Sequence, residues 1–203
     1  KKIIQRALTP GMVIYVAMIL FICLYNRGKF LTLWDEFSHW GDVVKAMYLT
    51  NDFSTGPHSL SLFQSYLPGM SLFQYLFQSL SFNGFYEPYL FISYQMFLIS
   101  LFLPFMQNLK WKEVGKNLLI ATLVVFGPVT LFNEFYDSIY VDAFLGSITA
   151  FCFAQLYMFK IKDKVKLTGL VLSTCMLVLV KDIGIFLAGF STLGLYIFCL
   201  SDF

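Results

Sequence analysis

Pro68-Gly69-Met70-Ser71-Leu72-Phe73-Gln74-Tyr75-Leu76-Phe77-Gln78-Ser79-Leu80-Ser81-Phe82 is the stretch whose reading decides how the rest of the chain is arranged. It is apolar, but at 15 residues it falls short of the roughly 17–25 that a spanning helix needs, and Gln74, Gln78 and several serines make one side polar. It therefore reads as an interfacial or re-entrant helix. Pro68 suits the first turn, where its missing N–H is not needed. Six other apolar runs, at about 10–26, 86–106, 117–133, 140–159, 167–181 and 184–200, are candidate spans. With 68–82 not crossing, three basic groups fall on one side: Lys1, Lys2 and Arg6; Lys110, Lys112 and Lys116; and Lys160, Lys162, Lys164 and Lys166. The positive-inside rule makes that side cytoplasmic. A crossing at 68–82 would split those groups between the two sides.

Composition agrees with this arrangement. Of 203 residues, 58% are hydrophobic, 19% aromatic and 13% charged, against about 25% charged in a soluble domain. The mean hydropathy is +0.71. Such a chain could not cover a water-facing surface. The expected fold is all-α: a polytopic transmembrane helix bundle of about six spans, residues 1–203 forming one domain, with interfacial helices in a long first external loop at 27–85. A multi-pass plasma-membrane protein with a cytoplasmic N-terminus is expected. Lysine-rich loops with abundant Phe and Ile point to a bacterial cytoplasmic membrane, although an endoplasmic reticulum protein of the same topology would look alike. The net charge of +2 carries little information, and no nucleic-acid partner is expected. Cys23, Cys152, Cys175 and Cys199 all lie in apolar runs at spacings that fit neither zinc nor a disulfide framework. The start at Lys1-Lys2 and the end at Asp202-Phe203, just after an apolar run, read as the limits of a fragment, and no cleavable signal peptide is evident.

The same topology gathers nearly every acidic residue on the external face, Glu113 and Asp163 being cytoplasmic exceptions among lysines. Just after the first span comes Trp34-Asp35-Glu36-Phe37-Ser38-His39-Trp40-Gly41-Asp42. Residues 34–50 read as an amphipathic surface helix with Asp35, His39, Asp42 and Ala46 on one stripe and Asp42 in reach of Lys45. A wet acidic edge would account for Glu36, Asp42 and Asp52. Asp35 sits at the mouth of the first span, where desolvation would raise its pKa and make it a base. His39 and His58, 19 residues apart with no third partner, make a poor metal pair, so His39 reads as structural or substrate-contacting and His58 as a loop residue. Tyr66-Leu67-Pro68-Gly69 reads as a bend holding the loop against the membrane. In Asn133-Glu134-Phe135-Tyr136-Asp137-Ser138-Ile139-Tyr140-Val141-Asp142, a capping role would explain Asp137 or Ser138. Asp142 instead opens an apolar segment, where a carboxylate is a functional candidate. Val180-Lys181-Asp182-Ile183-Gly184 is either a tight turn with a local ion pair or an anion site.

Taken together, these elements resemble the GT-C glycosyltransferases, polytopic enzymes that take sugar from a polyprenyl-phosphate carrier. Trp34-Asp35-Glu36 is similar to the acidic motif of their first external loop, and Ser38-His39-Trp40-Gly41 with Lys45 to a W-x-L-K-type continuation. Tyr66-Leu67-Pro68-Gly69 resembles their Y-P-P turn, with Leu67 in place of the first proline. Tyr140-Val141-Asp142 resembles a Y-x-D element at a second acidic site. Lys181-Asp182-Ile183-Gly184 is similar to a K-x-E-G element in which Ile183 stands where the acid is expected, with Asp182 available to substitute. Members of that superfamily usually carry more spans, which fits the fragment reading.

The resemblance implies an inverting transfer of sugar, on the external face, from a polyprenyl-phosphate-linked donor to a glycan, lipid or protein acceptor, with membrane lipids around it. Asp35 would be the general base, with Glu36 or Asp142 positioning it. Lys181, with Lys45 or Arg27, would meet the charge on the departing phosphate. His39, Tyr66, Asp137 and Asp182 would contact substrate. Participation of a divalent cation, Mg or Mn, on Asp35 or Asp142 is left open by the residues. The competing class is a transporter or flippase of lipid-linked glycans. Transporters, however, place their sites near the midplane, often between repeated halves, and this chain shows no repeat.

Overall fold

The computed structural model describes residues 8–57, 59, 61–62, 64, 66–82, 84–158 and 164–201. Lys1, Lys2, Arg6, His58, Lys160, Lys162, Asp163 and Asp202 lie outside them. Among the described residues the chain is all-helical, with no strand. Helix α1 (Pro10–Tyr25) starts at an N-cap, Thr9, whose Oγ1 accepts the Met12 N–H at 3.2 Å, and Pro10 occupies the first helical position. A π-helical turn, Glu36–Trp40, runs into α2 (Gly41–Thr50), which stops at Asn51 in a left-handed conformation. Then come α3 (Gly69–Ser79), α4 (Pro88–Ser100), the single turn α5 (Leu103–Met106), α6 (Val114–Leu131), α7 (Val141–Tyr157), α8 (Lys164–Val180) and α9 (Ile183–Ser201).

The segment at 68–82 forms a helix, and its polar side faces inward. Gln78 exchanges two hydrogen bonds with the backbone of Tyr86, at 2.9 and 3.0 Å, and Gln74 Nε2 donates to the Leu90 carbonyl at 3.2 Å. The glutamines thus satisfy the backbone leading into α4, where the sequence pattern alone assigned them to a wet interface. A second difference concerns 86–106, read as one span. It breaks at Leu101-Phe102 into α4 and α5, because Pro104 has no N–H for the Ser100 carbonyl and its ring would collide with it.

The bundle has two chemically distinct ends. At one, Trp111 Nε1 donates to the Leu8 carbonyl and Gly11 packs on Met106, which brings the start of α1 beside the turn carrying Lys110 and Lys112. At the other, Asn26 Nδ2 donates to Gln95 Oε1 at 2.7 Å and Gln95 Nε2 to the Tyr136 carbonyl at 3.0 Å. This buried chain of amides levels the end of α1 with the middle of α4 and the α6–α7 connection. The first half of α4 therefore stands beyond the end of α1, where α2, α3 and the π-helical turn form a cap. Between the ends, α4, α7 and α8 share a core in which Phe91, Tyr94, Phe144, Ile148 and Leu177 are fully buried. Outward faces are apolar too: Leu24, Leu118, Phe126, Phe186 and Phe190 are each more than 60% exposed. Among the described residues one helical segment, Ile183–Leu200, is long and apolar enough to cross a membrane; Pro10–Tyr25, Val114–Thr130 and Val141–Tyr157 are apolar but shorter.

Two glycines let backbones meet beneath the cap. A Cβ at Gly69 would lie 2.6 Å from the Leu179 carbonyl oxygen, and one at Gly184 would run into the carbonyl oxygen of Leu177. Gly184→Ala should destabilise the protein by about 1–3 kcal/mol through overpacking against backbone that cannot yield. Thermal unfolding checks this, with Gly127→Ala, where a Cβ meets nothing within 4 Å, as the silent control.

Candidate active site

At the acidic end, a polar pocket of about 420 Å³ is lined by Asp35, His39, Tyr66, Tyr140, Asp142 and Lys181. Trp34, Ser38 and Trp40 complete its wall. Four chain segments far apart in sequence supply it: the π-helical turn with the two residues before it, the bend before α3, the start of α7 and the turn before α9. Asp142 lies in the first turn of α7 and is largely exposed; Lys181 Nζ donates to its Oδ1 at 2.7 Å. An exposed pair of this kind adds little stability, about 0–1 kcal/mol. It fixes a cation and a carboxylate side by side at the pocket mouth.

His39 is buried between aromatic rings, its centroid 4.0 Å from that of Trp40 and 4.2 Å from that of Tyr66. Burial lowers its pKa to about 4, with Lys181 pushing the same way and Asp35 opposing. The imidazole is thus neutral at neutral pH.

Glu36 occupies a different place from its neighbour Asp35. It is fully buried, and three backbone N–H groups hold its carboxylate: Thr32 and Leu33 on Oε2 and Ile139 on Oε1, each at 3.1 Å. Burial raises its pKa, opposed by those hydrogen bonds and by Lys29. Desolvation, expected at Asp35, falls on Glu36 instead, while Asp35 is exposed at the pocket rim. Glu36 has no opening toward the pocket and acts as a clamp between the first loop and the α6–α7 connection. Glu87 adds a second tie, accepting the Leu31 N–H at 2.8 Å.

The structure brings together Asp35, His39, Tyr66, Asp142 and Lys181. It leaves four expected site residues elsewhere. Lys45 lies outside the pocket, its ammonium 5.9 Å from the ring centroid of Phe85. Asp137 forms an ion pair with Lys29 at 2.7 Å and accepts the Tyr25 hydroxyl at 2.8 Å, and these bonds lower its pKa. Asp182 is exposed, with its carbonyl accepting the Ile185 N–H in the turn that starts α9. Glu36 is the fourth. The expected stripe of Asp35, His39, Asp42 and Ala46 does not form either, because the π-helical turn changes the register, burying His39 and Ala46 and leaving Asp35 exposed.

An apolar groove of about 670 Å³ meets this pocket at Asp142, which lines both. Leu98, Phe102, Phe132 and Phe135 form its walls, and small residues of α7 form its floor. Those residues, Ala143, Gly146, Ser147, Ala150 and Ala154, recur at three- and four-residue spacing, a signal that the sequence carries in small side chains and not in charged ones. Tyr140 was likewise legible only as part of a motif. As for a metal, Asp142 is paired with Lys181, and among the described residues no group of three acidic, His or Cys side chains is placed to hold one ion between them. No family model matches the chain, and comparison with curated proteins and with solved structures found no match.

Two outcomes follow. Glu36→Gln removes one acceptor oxygen from the clamp and should cost about 1–3 kcal/mol in thermal unfolding. For His39, the unfolded chain binds a proton from about pH 6.5 while the folded chain does not until about pH 4, so stability is full above 6.5 and is lost as pH falls toward 4. Replacing His39→Phe should flatten that part of the stability–pH curve; an unchanged curve would contradict the assignment.

Proposed function

We propose that the chain is a polytopic membrane glycosyltransferase that moves a sugar from a polyprenyl-phosphate-linked donor to an acceptor at the external face. The observation carrying this reading is that one carboxylate, Asp142, borders both a polar pocket and a long apolar groove. A donor with a polar head and a greasy tail needs that junction. Support for the membrane setting comes from the apolar outward faces of α1, α6 and α9 and from helices of 16 to 19 residues in α1 and α6 to α9. On this reading α4 and α5 together make a sixth, broken pass, permitted because its interrupted backbone is covered by protein. The acidic end is external and the basic end cytoplasmic.

In this mechanism the donor tail lies on the small-residue floor of α7 and its phosphate reaches Lys181. Asp35 takes the proton from the acceptor hydroxyl, whose oxygen attacks the anomeric carbon. The bond from that carbon to the phosphate oxygen breaks, its electron pair stays on the lipid phosphate, and the Lys181 ammonium stabilises the charge. One displacement inverts the anomeric centre. Asp142 keeps Lys181 aimed, and neutral His39 offers hydrogen bonding to sugar hydroxyls without a competing charge. Glu36 holds the loop that carries Asp35.

A second reading, a transporter or flippase of lipid-linked glycans, is favoured by one feature. Phe151 lines both the apolar groove and a further cavity at the basic end, so the two cavities lie one after the other along α7.

The test is sugar transfer from a labelled polyprenyl-phosphate donor by the full-length protein in membranes. Asp35→Asn should lower the rate by about 10²–10⁴-fold at unchanged protein level, as for removal of a general base. Gly146→Trp, which fills the groove from an open position, should raise KM for a long-chain donor more than for a short-chain analogue. Full activity in Asp35→Asn would overturn the base assignment, and absence of transfer combined with donor translocation would favour the second reading.

A further inference from the structure

The wall of the polar pocket carries a large ring that the mechanism above does not use. Trp34 lines the pocket one position before Asp35 and is 72% exposed. It meets Phe37 edge to face, with centroids 5.4 Å apart and planes at 75°. In such a pair the edge of one ring touches a face of the other, so whichever ring supplies the edge, Phe37 leaves at least one face of the indole open. Among the described residues nothing accepts the indole N–H either. Trp40, on the same wall, is different: it packs against His39 and Tyr66 and is half-buried. Beside the open ring, Asp35 is exposed, and among the described residues no cation pairs with it, Lys181 being engaged with Asp142. A bare apolar face next to an unpaired carboxylate is thus the chemistry presented at the place where the acceptor hydroxyl must arrive.

We propose that Trp34 is a stacking platform for a sugar ring, which makes the acceptor a glycan. The acceptor role rests on the glycosyltransferase reading; the sugar platform itself does not. A pyranose has C–H groups on its faces and hydroxyls around its rim. The C–H groups lie against the open indole face, a contact between an apolar surface and the negative side of the ring. The rim hydroxyls then reach Asp35 and Ser38, so one of them stands beside the proposed base. A few polar groups set around an apolar surface are what a specific small-ligand site needs. A lipid acceptor fits less well, because the apolar groove enters at Asp142 and neither Trp34 nor Asp35 lines it. A peptide acceptor brings planar amides to a place that offers an apolar face.

The full-length protein is placed in phosphatidylcholine nanodiscs and titrated with cellobiose, maltose and chitobiose. Binding is followed by saturation-transfer NMR with the protein's aromatic protons irradiated. Ring C–H protons of at least one disaccharide should receive saturation from the wild type. Trp34→Leu keeps an apolar side chain for any contact with lipid but removes the ring. It should weaken sugar binding by about three- to tenfold, the range of one aromatic contact, with Tm unchanged. Trp34→Phe should recover most of the loss. In the transfer assay with a labelled polyprenyl-phosphate donor, Trp34→Leu should raise KM for the glycan acceptor by the same factor and leave KM for the donor alone. A Trp34 that only anchors the protein at the membrane surface would move neither sugar binding nor the acceptor KM. Trp34-dependent sugar binding without any transfer supports the platform and counts against the glycosyltransferase reading instead. The proposal is overturned if none of the disaccharides binds the wild type, if Trp34→Leu binds them as well as the wild type, or if a peptide is glycosylated with a KM indifferent to Trp34.

Discussion

A single buried carboxylate organises the acidic end of this protein. Glu36 gives up solvent entirely and receives three backbone N–H groups in return, two from the turn just before it and one from Ile139, more than a hundred positions away in sequence. Each of those N–H groups would be costly to bury unmet, and the charge would be costlier still. The bonds therefore form together or not at all. Most of what lines the polar pocket hangs from the two segments they join, Asp35 and His39 on one and Tyr140 and Asp142 on the other, with Tyr66 and Lys181 added from the bend before α3 and the turn before α9. The Asn26–Gln95–Tyr136 chain and the Lys29–Asp137 pair reinforce the same junction from the side of α1.

The arrangement divides labour between adjacent residues of like charge. Asp35 is exposed and faces the pocket, whereas Glu36 is buried and faces the protein. A one-residue step on a helix turns the side chain through roughly 100°, so neighbours in sequence point to different worlds. Something similar holds for the lysines. Lys29 is spent on Asp137 and the Tyr136 carbonyl, while Lys181 stands at a pocket mouth beside a largely exposed carboxylate, where an incoming anion can compete for it.

Much of this could be read from the residues. Helix existence followed from long apolar runs, and among the described residues the acidic groups around the pocket lie at the opposite end of the bundle from Lys110, Lys112 and Lys166. The pocket joins five residues that spacing and motif had singled out. What the sequence hid has physical reasons. Gln74 and Gln78 look like a solvated face because polarity alone does not say whether the partner is water or the backbone of Tyr86 and Leu90. The break after Ser100 was written in Pro104, but an apolar run of 21 residues outweighed one proline in the reading. Glu36 could not be told from Asp35 because the π-helical turn departs from the 3.6-residue period on which every stripe argument rests. The groove floor escaped notice since small residues signal by what they omit.

That turn has a consequence for how such a chain can vary. A π-helical turn accommodates one residue more than the α-helical turn it replaces. Losing one position between Glu36 and Trp40 would restore ordinary winding and swing the preceding residues about the axis by about 100°. The carboxylate now stapled to Thr32, Leu33 and Ile139 would rotate out, and its exposed neighbour would rotate with it. Substitutions here can be absorbed one at a time, but a change of length cannot. Among natural variants of this chain, gaps should fall in the connection between α2 and α3, never within these five positions.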